Sequence, residues 1–84
     1  MKHAGSRALD RLEPLLERLR ALPGLKEKSR GTFFYRRGKA FLHFHEDPTG
    51  LHADLRAGDD FDRFRVETEA ERERFQKAVE AALR

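Results

Sequence analysis

The stretch KAFLHFHEDPTGLHADLR, residues 39–56, alternates large apolar residues with histidine and charge on both sides of an Asp-Pro-Thr-Gly turn. Alternation with a period of two marks a strand with one buried face, and two such runs joined by a short turn read as an antiparallel hairpin. In the first run Ala40, Leu42 and Phe44 form one side and Phe41, His43 and His45 the other; in the second, Leu51, Ala53 and Leu55 oppose His52, Asp54 and Arg56. The two apolar sets must meet, because a slip of one residue would turn every core side chain to water. With residues 47–50 as a four-residue loop, Glu46 pairs with Leu51, Phe44 with Ala53 and Leu42 with Leu55. His45 then lies opposite His52, His43 opposite Asp54 and Phe41 opposite Arg56. A three-residue Pro-Thr-Gly loop is chemically allowed as well, and it would slip the pairing and disperse this polar cluster.

Two more strand-like runs flank the hairpin, at 32–36 and 61–67, with the four runs at 32–36, 39–46, 51–56 and 61–67 separated by gaps too short for a parallel crossover. In the first hairpin, Gly38 as the left-handed residue of a three-residue loop would put Phe33 and Tyr35 beside Phe41. A two-residue loop would put Phe34 and Arg36 there instead.

Helices are expected at both ends. Leu9, Leu12, Leu15, Leu16, Leu19 and Leu22 recur at helical spacing, with Asp10 as the N-cap, Pro14 in the first turns and Pro23-Gly24 as the stop. Thr68-Glu69-Ala70-Glu71 reads as a capping box opening a helix to about residue 83, whose stripe is Phe75, Ala78, Val79, Ala82 and Leu83. The expected fold is α+β, a two-layer α-β-β-β-β-α sandwich: a four-stranded antiparallel meander sheet with two helices on one face. The other face stays open and carries Phe41, His43, His45, His52, Asp54 and Arg56, the expected ligand or interface residues.

Eighty-four residues make a single domain, 1–84, and a chain this short buries only about 60–65% of its unfolded surface, leaving little room for a deep cavity. Cysteine is absent, which excludes disulfides and thiolate metal sites and suits a reducing cytoplasm. No apolar run approaches a membrane span and no leader is visible, so a cytoplasmic protein without membrane contact is expected. Asn is absent and 39% of residues are charged, a composition that suits a thermophile or a GC-rich genome. Charge is polarised along the chain: residues 1–39 hold eleven Lys and Arg against four Asp and Glu, and residues 40–84 hold seven against eleven.

No nucleophile stands beside a base, and neither a Walker A loop nor GxGxxG is present, so no enzyme and no cofactor are expected and no catalytic or metal-ligating set is assigned. Three functional readings follow. An open sheet face with aromatics, histidines and both charge signs suits self-association, so a homodimer is expected. Lys26, Lys28, Arg30, Arg36, Arg37 and Lys39, interleaved with Phe33, Phe34 and Tyr35, suit nucleic acid, where cations meet phosphates and rings stack on bases. The acidic Asp59, Asp60 and Asp62 would repel such a partner if they lay nearby. The three histidines with Asp54 as fourth ligand or orienter suit a metal.

A helix ending in Pro-Gly, followed by SRGTFFYRRGKAFLHFHEDPTGLHADLR, resembles the front half of the YjbR/MmcQ-like bacterial proteins over about residues 15–56. In that family a glycine-lysine hairpin, here Gly38 and Lys39, precedes an apolar strand, a turn and another strand. The resemblance implies a largely uncharacterised protein for which nucleic-acid binding is suggested by fold. Where the family has a tryptophan-containing strand before the last helix, this shorter chain has Phe64-Arg65-Val66.

Overall fold

In a computed structural model describing residues 2–35 and 38–84, the hairpin that organises the sequence is also the centre of the molecule. Strands β4 (Ala40–Asp47) and β5 (Gly50–Ala57) pair antiparallel with Leu42 opposite Leu55, Phe44 opposite Ala53 and Glu46 opposite Leu51. This is the register of the four-residue reading, which puts His45 across from His52 and His43 across from Asp54. Asp47 and Gly50 themselves join the ladder. Asp47 closes the turn by accepting from the Thr49 amide at 2.8 Å.

The fold is α+β with an antiparallel sheet, as expected, but the sheet has six strands rather than four. Its order is β2 (Leu25–Ser29), β3 (Thr32–Tyr35), β4, β5 and β6 (Asp60–Arg65), and β1 (Lys2–His3) pairs with β4 beyond the end of β3. The strand β2 contains Lys26, Glu27 and Lys28, a charged run with weak alternation, and β1 is two residues long. Neither carries a strand pattern of its own; each is held by the neighbour it pairs with. Gly5 donates its amide to the Glu46 carboxylate at 2.6 Å, which anchors β1.

The expected first helix is two: α1 (Ser6–Arg11) and α2 (Glu13–Arg20), joined at Leu12 with φ −93° and ψ 0°. Pro14 explains the joint. It sits in the first turn of α2, where its missing amide costs little, whereas the interior of one long helix would lose a hydrogen bond there. Asp10 is therefore not an N-cap, a position Gly5 holds, but pairs with Arg30 at 2.9 Å. The last helix, α3 (Glu69–Ala82), begins with the expected capping box: Thr68 accepts from the Glu71 amide at 3.1 Å and Glu71 from the Thr68 amide at 2.9 Å.

One apolar core joins the helices to one side of the sheet. Leu9, Leu12, Leu15, Leu16 and Leu19 of the first two helices and Phe75 and Val79 of α3 bury against Phe33, Leu42, Phe44, Leu51, Ala53 and Leu55. Phe75 meets the rings of Phe44 and Phe64 edge-on at 5.8 and 5.3 Å. Arg11 to Glu67 at 2.7 Å and Arg18 to Glu69 at 3.2 Å tie the basic first third to the acidic last third, so the polarised charge is partly spent within the chain. No helix of the described residues is long and apolar enough to cross a membrane.

In the first hairpin Phe34 lies on the open face, as the two-residue alternative has it, but the ladder to β4 is irregular. Phe33 pairs with Leu42 and Phe34 with Ala40, so β4 carries one extra residue, Phe41, between its partners. Such a bulge breaks alternation. Phe41 is only 8% exposed, belongs to the core cluster and lies 5.4 Å from the Tyr35 ring, so its expected place on the open face is corrected. Phe33 is fully buried; only Phe34, of the expected aromatics in this run, lies on the side away from Phe33. Arg36 falls outside the described residues.

Candidate functional site

Cross-strand pairing builds the side of the sheet away from the helices row by row. His3, His45, His52 and Arg65 form one row across β1, β4, β5 and β6. His43, Asp54 and Arg63 form the next, and Arg56 and Phe61 a third. On the far strands Lys26 pairs with Phe34, and the Lys28 ammonium stands 4.8 Å over the Phe34 ring. Arg56 repeats that cation–π arrangement over Phe61 at 4.6 Å while donating to the Ala40 carbonyl at 2.7 Å.

The centre of this face is a buried carboxylate. Asp54 is 6% exposed although no helix covers it, because its neighbours roof it. Arg63 grips it with a two-pronged fork, Nε to Oδ1 at 2.7 Å and Nη2 to Oδ2 at 2.9 Å, and His45 Nε2 approaches Oδ2 at 3.1 Å. The hydrogen bonds from Arg63 hold the Asp54 carboxyl below its usual range, against the opposing effect of burial.

Around it the imidazoles crowd together. The His43 and His45 rings meet edge-on at 4.7 Å, His3 stacks on His45 at 5.0 Å, and His43 touches Phe61 at 4.8 Å. Burial first, and then the neighbouring His45, push His43 below the usual imidazole range, so it favours the neutral ring. The Nδ1 atoms of His43, His45 and His52 are buried without a hydrogen-bond partner. An unmet buried polar atom costs about 1–3 kcal/mol, so three in one patch ask for a function or a ligand.

Of the expected open-face residues, the structure thus brings together His43, His45, His52, Asp54 and Arg56 and removes Phe41. Sequence reasoning missed His3, Phe61, Arg63 and Arg65. The last three alternate on β6 and follow from its pairing with β5, but His3 has no sequence signal, since two residues cannot show a period. The expected basic segment divides. Lys26 and Lys28 lie on the open face, Lys39 is exposed beside the first hairpin, and Arg30 is turned away to Asp10 and Glu13 at 2.9 and 2.8 Å. Arg36 and Arg37 are outside the described residues.

A cleft of about 380 Å³ opens where β1 and β3 leave a gap along their shared edge of β4, lined by His3, Leu9, Arg30, Gly31 and Phe44 among others. No protein-family model, curated protein or solved structure matches the chain.

Proposed function

We propose that the chain is a small non-enzymatic binding domain whose working surface is the uncovered sheet face, and that its partner is a single-stranded nucleic acid. The observation that carries this reading is the distribution of charge across the rows. Lys26, Lys28, Arg56, Arg63 and Arg65 share one face with the Phe34 and Phe61 rings, and the central carboxylate, Asp54, is already neutralised by Arg63. Asp47 lies at the hairpin end of this face, paired with Gly50. The acidic run that would repel phosphate is directed elsewhere: Asp62 pairs with Leu55, on the helix side, and Asp59 lies in the turn before β6.

Five strands spaced about 4.8 Å apart make a platform about 19 Å wide, enough for a few splayed nucleotides whose phosphates meet cations while bases stack on the rings. The front-half resemblance to the YjbR/MmcQ-like proteins points the same way. A second copy of the chain is the competing occupant. Two-fold docking of this face would set its cations against themselves, and the charged edge strands β2 and β6 discourage growth by strand addition.

Fluorescence anisotropy with a labelled oligothymidylate of about twelve nucleotides tests the reading. With about four phosphates neutralised, affinity should fall about fiftyfold between 50 and 200 mM salt. Absence of binding at 50 mM, or binding indifferent to salt, rejects it. A mass that rises with protein concentration and reverts in Arg65→Glu would give the face to a second copy.

A further inference from the structure

We infer that His3, His43 and His45 form a three-imidazole site for a divalent metal of the zinc type, assembled by the pairing of β1 with β4. This does not rest on the nucleic-acid reading. Each of the three side chains offers a nitrogen, and the three lie within 4.8 Å of one another. Zinc–nitrogen bonds of about 2.0–2.1 Å at a tetrahedral centre bring ligand nitrogens to about 3.3 Å apart, so closure needs shifts of about 1.5 Å. His3 is the exposed member of the three and sits on a two-residue strand, so its side chain can rotate toward the other two.

The surroundings are those a histidine ligand requires. His45 Nε2 lies 3.1 Å from Asp54 Oδ2, and its Nδ1 is buried without a partner. A carboxylate holding the second nitrogen of a ligating imidazole fixes its tautomer and strengthens it as a donor. Asp54 is in turn fixed by the Arg63 fork, so the orienting group is itself held. His43 also has an unpartnered buried Nδ1, and its ring meets that of His45 edge-on, within the group of nitrogens that lie within 4.8 Å of one another. The exposed side of His3 leaves a fourth position to water or to an anionic ligand. Nitrogen-only donors with an open position select zinc or a similar borderline ion over magnesium or calcium, which take oxygen ligands.

His52 separates this site from a general crowd of imidazoles. It stands across the ladder from His45 and has an unpartnered Nδ1, yet it is outside the group of nitrogens close enough to share an ion. A true site therefore distinguishes His3, His43 and His45 from His52.

The test is titration of the full chain with Zn²⁺ at neutral pH, followed by side-chain nitrogen NMR and calorimetry, with Co²⁺ as an optical probe of coordination number. The expected result is saturation at one ion per chain, with His3, His43 and His45 shifting together and the visible spectrum of four-coordinate Co²⁺. His3→Gln, which alters an exposed side chain and preserves the core, should weaken binding at least tenfold, as should His45→Gln. Asp54→Asn should weaken it about tenfold through orientation alone, and His52→Gln should leave it unchanged. Circular dichroism of each variant separates lost ligation from lost fold. No saturable binding, an equal loss in His52→Gln, or a response confined to His3 would overturn the inference. Metal binding with no oligonucleotide affinity would uphold this site while rejecting the proposed function.

Discussion

Asp54 Oδ2 accepts from Arg63 Nη2 at 2.9 Å and lies 3.1 Å from His45 Nε2, on a face that no helix covers. The carboxylate is buried while the Arg63 side chain is 48% exposed, and this asymmetry has a measurable effect. Arg63→Ala leaves a buried anion short of its main partner and should cost about 2 kcal/mol. Asp54→Ala releases a guanidinium that water can solvate and should cost about 1 kcal/mol. Urea unfolding of the two variants gives the order, and equal losses would mean that the pair behaves as an ordinary surface ion pair.

Phe41 separates stability from binding. Because the bulge turns its ring into the core, Phe41→Ala should lower stability by about 3 kcal/mol, as large-to-small core substitutions do. Phe61→Ala, a half-buried ring beneath Arg56, should lose less stability but about 1–2 kcal/mol of oligonucleotide affinity. Denaturation and anisotropy on both proteins check the pair. The reverse ranking would return Phe41 to the open face.

The capping box makes a local prediction. Thr68→Ala removes the acceptor of the Glu71 amide and should cost about 1 kcal/mol, whereas Thr68→Ser should retain most of the stability. A thermal or urea melt that does not distinguish alanine from serine at this position would show that the helix end is stabilised by packing alone.

Acid should unfold the protein through its paired carboxylates. The Arg11 side chain and then the Leu51 amide hold Glu67 below its ordinary value of 4.5, and the Thr68 and Glu67 amides do the same for Glu71. Groups depressed in the folded state bind protons more readily when unfolded. Their stabilisation is thus present above about pH 4.5 and is lost as pH falls through the lower folded values. Stability measured from pH 7 to pH 3 should decline below pH 5, and Glu67→Gln should flatten that decline. An unchanged slope in Glu67→Gln would remove this residue from the account.

What could be read in the sequence followed the strength of its periodicity. The β4–β5 hairpin was legible because both strands have apolar residues on one side, and only one register joins Leu42, Phe44, Ala53 and Leu55. The capping box was legible because it depends on two residues three apart. The bulge at Phe41 was not, since alternation assumes an even ladder and an extra residue violates that assumption without altering composition. The joint at Leu12 was hidden by a leucine stripe that continues across it. β1 was invisible: its pairing depends on the free edge that β3 leaves on β4, which is a tertiary fact, and with it went His3. The candidate site was therefore half legible, with His43, His45, His52, Asp54 and Arg56 placed and the residues from the flanking strands missing.

Binding by the face opposite the helices is tested by an amide and side-chain chemical-shift map of the labelled protein titrated with oligothymidylate at low salt. Perturbations should cluster on His43, His45, Asp54, Arg56, Phe61, Arg63 and Arg65 and on the Lys26–Phe34 flank, sparing α1, α2 and α3. Shifts concentrated on the helices, or no shifts at an oligonucleotide concentration that saturates single-strand binders of this size, would contradict it.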